Sequence, residues 1–205
     1  MISIVTNSIS ESSGTNLYQI LVLFILSEAF VNYKLRLEFI IPVYNYGILR
    51  RKISDMLEIA NQLSEDGEYT QALQYYKNIL QIEQDNIGVI IDYGVTLQNL
   101  EFYHQALEVC DRALSLQPKN TSALINKGSV LHALGKYTDA ITCYNIVLSI
   151  EKNNPIALAY KGLCIAEAGN IQLATKYFKK ALSIDAEFEL AKISINTAKC
   201  MMKSH

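Results

Sequence analysis

The chain of 205 residues contains no tryptophan, three prolines, three histidines and four cysteines. Each scarcity removes a class of chemistry. The cysteines at 110, 143, 164 and 200 form no Cys-x-x-Cys pair, and no histidine-rich tract accompanies them. Zinc sites and disulfide frameworks depend on such spacings. The cysteines therefore read as small core or surface residues in a reducing compartment. No His-Glu-x-x-His, Gly-x-Ser-x-Gly or Asp-x-Asp-x-Asp-Gly pattern occurs, so the common metalloprotease, hydrolase and calcium-loop signatures are missing. Gly128 to Lys136 holds two glycines and a lysine. The gap is too long for a phosphate-cradling loop, and Tyr137 stands where Ser or Thr is needed. No metal, cofactor or enzyme activity is expected. Glu65-Asp66 and Glu108 with Asp111 read as solvated carboxylates.

Charge is also sparse, at 19% of residues with a net of -2. It is unevenly divided. Residues 1–52 hold five basic and three acidic side chains, whereas residues 53–205 hold thirteen basic and seventeen acidic. An acidic region lacks the clustered basic footprint that phosphate-backbone binding requires, so nucleic acid is not an expected partner. Asn120-Thr121-Ser122 matches a glycosylation sequon, which a cytoplasmic protein would not use.

What the chain does have is a period. Gly67, Glu101, Gly135 and Gly169 stand 34 residues apart, as do Tyr69, Tyr103, Tyr137 and Ile171, and Ala72, Ala106, Ala140 and Ala174. Between Thr121 and Asn154, apolar residues fall at helical spacing on either side of Gly135. The unit is therefore two short antiparallel helices joined at a glycine turn. Counted from Ile53, Ile87, Thr121 and Pro155, position 8 is Ala60, Gly94, Gly128 and Gly162. Position 11 is Leu63, Leu97, Leu131 and Ile165, and position 24 is Tyr76, Cys110, Tyr144 and Phe178. Small residues at 8 and 20 let paired helices approach, and large ones at 11, 24 and 28 fill the space around the contact. Asn86, Asn120 and Asn154 occupy one helix-cap site, with Pro155 in the first turn after the last of them.

A period of about 34 with small residues at the helix crossing resembles the tetratricopeptide repeat family. The resemblance implies an all-α, right-handed α-solenoid of four tandem helix pairs. Their expected bounds are 53–86, 87–120, 121–154 and 155–188. Residues 189–205 form a C-terminal capping helix and tail, with Ala191, Ile195 and Ala198 on its apolar side. The sequence departs from the family in lacking Trp at position 4, in carrying Lys127 and Lys161 at position 7, and in keeping the usual proline of position 32 only as Pro118.

The resemblance also implies a function, protein–protein interaction without catalysis. In the family a stripe at positions 2, 5, 9 and 12 of each first helix lines a concave groove for a partner helix or extended segment. Here its principal residues are Leu57 and Asn61 in the first repeat, then Ile91, Val95 and Gln98. Ile125, Ser129 and His132 follow, and Ala159 and Leu163 complete it. No lysine or arginine stands on the stripe, so the basic clamp that some relatives close on a partner's terminal carboxylate is not expected. The apolar members serve either a partner or packing between repeats.

Residues 1–52 divide into an expected disordered segment, 1–16, and an apolar helix with linker, 17–52. Leu17 to Val31 is the most apolar stretch. Fifteen helical residues reach about 22 Å against a hydrocarbon core of about 30 Å. Three readings stay open: a membrane anchor through 17–33, a helix docked on the first repeat, or translation starting internally at Met56. An anchor would leave the following basic residues, and so the repeats, on the cytoplasmic side as a tethered assembly factor. Without it the protein is cytoplasmic, monomeric or weakly self-associating.

Overall fold

The computed structural model describes residues 48–203. Contacts divide the chain into two units, 1–54 and 55–205. The first is represented here only by helical residues 48–54. The expected disordered segment 1–16 and the apolar stretch 17–33, with its three readings, lie outside the described residues. No described helix is long and apolar enough to cross a membrane. Residues 48–52, at the end of the expected helix-and-linker segment 17–52, are helical.

The second unit consists of helices joined in antiparallel pairs. Helix α1 comprises residues 48–65, of which 55–65 belong to this unit. It is followed by α2 (Tyr69–Ile82), α3 (Ile87–Asn99), α4 (Tyr103–Leu116), α5 (Thr121–Ala133), α6 (Tyr137–Ile150), α7 (Pro155–Glu167), α8 (Ile171–Ile184) and α9 (Glu189–Lys203). Among the described residues there is no strand. The unit is an α-solenoid of the tetratricopeptide type, as the spacing predicts.

Local chemistry sets both ends of the first helices. Asn86, Asn120 and Asn154 accept from the backbone N–H three residues on, at 3.2, 2.9 and 2.8 Å. Each satisfies a donor that the helix start leaves free. Each amide also donates back three residues, to Glu83, Gln117 and Glu151. At the other end the chain turns through a left-handed residue: Gly67 at φ 79°, Glu101 at 62°, Gly135 at 72° and Gly169 at 88°. The two hydrogen bonds of a Schellman cap close each turn, as in Gly135 N–H to His132 O at 2.9 Å and Lys136 N–H to Leu131 O at 2.8 Å. Three turns use the residue type without a Cβ penalty, and the fourth does not.

The core lies where the small and large positions meet. Ala60, Ala72, Ala106, Ala140 and Ala174 are fully buried. A Cβ added to Gly128 would stand 2.7 Å from the Tyr144 ring, and one at Gly162 would stand 2.6 Å from Phe178. These glycines are what let the paired helices close on an aromatic side chain. Tyr144 stacks on Tyr160 of the next pair with centroids 5.9 Å apart. At the C-terminal end Ala191 and Ile195 of α9 join the cluster of Leu158, Ile165 and Phe178, and Ala198 is buried as well.

The lysines that depart from the family pattern find specific partners. Lys127 donates to Asp111 at 2.6 Å, which removes Asp111 from the expected set of merely solvated carboxylates. Lys161 places its ammonium 4.6 Å from the centre of the Tyr177 ring. Cys110, Cys143 and Cys164 are buried and free. Burial pushes the Cys110 thiol up to about 12 and the Cys164 thiol up to about 11, so neither supplies a reactive thiolate.

Candidate functional site

Helices on one side of the unit touch their counterparts in neighbouring repeats. α3 meets α5, α5 meets α7, and α7 meets α9, whereas the second helices pack mainly on the flanking first helices. Elements on the inside of a curve lie closer together than those outside. The first helices therefore form the inner, concave face, on which the stripe residues sit.

The stripe is not uniform along its length. Val95 is exposed, while Leu57, Ile91, Gln98, Ser129 and His132 are half-buried. Ile125 packs against the cluster around Tyr144, and Leu163 against the cluster around Phe178, so both serve the core with part of their surface. Ala159 departs from the expectation outright: it is fully buried in the core. It packs in one cluster with Ala191 and Ile195 of α9, so its methyl is unavailable to a partner.

Two polar bonds involve stripe residues. Gln98 donates to the Ser129 hydroxyl at 2.8 Å, joining consecutive repeats across the inner face. Asn61 accepts from the Tyr76 hydroxyl at 2.8 Å, with the Ser64 hydroxyl 3.3 Å from the same oxygen. His132 lies 5.5 Å from the Tyr137 ring, and its Nε2 is buried with no hydrogen-bond partner among the described residues.

Sequence reasoning missed a pocket beside this stripe. Its volume is about 400 Å³, and α1, α2 and α3 build it from Asn61, Ser64, Glu65, Tyr69, Tyr76, Asp92, Val95, Thr96 and Asn99. Asp92 stands one position along from Ile91, off the stripe counted in the sequence. Its carboxyl is held above the usual carboxylate range by burial. Burial also raises the Tyr76 phenol, and the nearby Asp92 charge adds to that effect. Glu65, read from sequence as simply solvated, also lines this pocket. Among the described residues no cluster of His, Cys, Asp and Glu could hold a metal ion.

The fold and the inner face together define a solenoid scaffold of stacked helical hairpins. Tetratricopeptide repeat models match residues 109–142 and 133–187, so this part of the chain consists of tetratricopeptide repeats. Solved structures agree at the level of fold. TTC0263, a thermophilic TPR protein in Thermus thermophilus, superposes with a TM-score of 0.68 at 17% identity, over 73% of this chain and 82% of that one. MamA 41-end from Desulfovibrio magneticus RS-1 gives a TM-score of 0.60 at 23% identity, over 75% and 92%. YrrB, a TPR protein with an unusual peptide-binding site, gives 0.55 at 20% identity, over 78% and 84%. No curated protein matches the sequence. The fold is thus that of a protein-interaction scaffold.

Proposed function

We propose that the protein is a non-catalytic adaptor of the cytoplasm that holds a helical or extended segment of another protein along α3 and α5. The observation that carries this reading is the continuity of Ile91, Val95, Gln98, Ile125 and Ser129 across two repeats. Apolar side chains there keep surface to offer, and the Gln98–Ser129 bond fixes the spacing between repeats. Grooves that bind peptides combine apolar contact with a few placed polar groups. YrrB, a TPR protein with an unusual peptide-binding site, supports this use of the fold. Leu57, Asn61, His132 and Leu163 border the same surface, and Ala159 is omitted from it.

The test is affinity capture with the full chain, comparing wild type with Ile91→Asp plus Ile125→Asp. A carboxylate placed on each half-buried apolar site opposes desolvation by a partner. Captured partners are expected to fall at least about tenfold, the ratio that about 1.4 kcal/mol produces. Circular dichroism establishes that the variant is folded, and Val95→Asp, at an exposed position, serves if it is not. A folded variant that keeps every partner refutes the groove.

A further inference from the structure

We propose that the pocket between α1, α2 and α3 receives the guanidinium of an arginine carried by the partner segment, an inference that rests on the groove reading above. The pocket opens beside Val95, so a chain lying on the inner face can extend a side chain into it. Its volume of about 400 Å³ falls within the range of sites that enclose small ligands.

The lining selects positive charge. Asp92 and Glu65 supply two carboxylates, and Asn61 and Asn99 add amide oxygens. Asp92 is half-buried, and its carboxyl makes no hydrogen bond or ion pair among the described residues. That carboxylate is left free to accept from a donor outside the chain. No basic residue lines the pocket, and residues 55–99 contain eight acidic side chains and one basic one, Lys77. A partner's terminal carboxylate would meet repulsion here.

The shape of the lining favours arginine among cations. Tyr69, half-buried, supplies an aromatic side chain to the lining, whereas Tyr76 belongs to the core and its hydroxyl is already committed to Asn61. A planar guanidinium can stack on a ring such as that of Tyr69 and bond a carboxylate through two N–H donors, whereas an ammonium is a compact and strongly hydrated charge. The expected ligand is therefore a segment with one arginine beside apolar residues, the apolar ones resting on Ile91 and Ile125.

The experiment uses the full chain and an array of short synthetic apolar peptides whose central residue is arginine, lysine, citrulline or glutamate. Arginine peptides are expected to bind best, with citrulline at least about tenfold weaker, because a charge-assisted hydrogen bond is lost. Asp92→Asn should erase that preference without lowering the thermal midpoint, since it removes the charge, breaks no bond within the described residues and keeps the shape. Glu65→Gln reports the second carboxylate and is expected to weaken arginine binding to a lesser degree. Equal binding of arginine and citrulline, or an arginine preference that survives Asp92→Asn, overturns the inference. If in that case Ile125→Asp still abolishes binding, the groove stands and the pocket assignment alone falls. Failure of every peptide up to about 1 mM, the weak end of specific recognition, overturns both.

Discussion

Glu101 holds a backbone angle that its three counterparts assign to glycine. A left-handed conformation costs an L-residue about 1–2 kcal/mol, and the Schellman hydrogen bonds of the turn hold it there. Glu101→Gly removes that strain but gives the unfolded chain more freedom, which offsets part of the gain. The variant is expected to be more stable by about 0.5–1 kcal/mol, read as a higher urea midpoint with an unchanged slope. An unchanged or lower midpoint would mean that the glutamate is held without strain. The 34-residue series places Glu101 at the turn, so its unusual geometry follows from the register of the sequence. Asp92 is not legible in that way. It lies beside the counted stripe, and only the approach of α2 shows that it faces a pocket.

At the scale of helix pairs, one repeat position makes opposite demands. Gly128 and Gly94 both occupy position 8, but Gly128 faces Tyr144, whereas Gly94 has Val109 and Cys110 near it. Alanine at 94 would place its methyl 3.4 Å from a Val109 methyl, an ordinary contact. Gly94→Ala is expected to stabilise by up to about 1 kcal/mol through helix propensity. Gly128→Ala would force its methyl to 2.7 Å from the Tyr144 ring. It is expected to destabilise by about 1–3 kcal/mol, as overpacking does. Thermal denaturation of the two variants side by side checks the contrast, and a like-signed pair would refute it. This difference is readable from position 24, which is cysteine in one repeat and tyrosine in the other. The asparagine caps are readable too, because capping depends on residues close in sequence. The burial of Ala159 is not, because it depends on how α7 meets the last helices.

For the molecule as a whole, contacts among the described helices join each one to its near neighbours in the chain. Such a stack is stable by the sum of its interfaces, and its ends are weakest unless covered. Helix α9 covers one end through Ala191, Ile195 and Ala198, with Lys192 bonded to Glu187 at 2.7 Å on its outer side. A chain ending at Ala186 would expose Phe178, Ile165 and Leu158 of the last pair. Losing the burial of one isoleucine and two alanines is expected to cost about 3 kcal/mol. Hydrogen exchange should then show α7 and α8 opening first, with α3 to α6 still protected. Uniform loss of protection would mean that the repeats unfold as one block.

The near-neighbour pattern carries a mechanical corollary. Tension applied through the two ends of the described stack would load the hairpins in series, with no long-range strut to share the force. The array would yield by detaching one hairpin at a time, each releasing a similar length of chain. Between such events it would stretch by small rotations at the crossings, so that a tethered partner would feel a compliant spring.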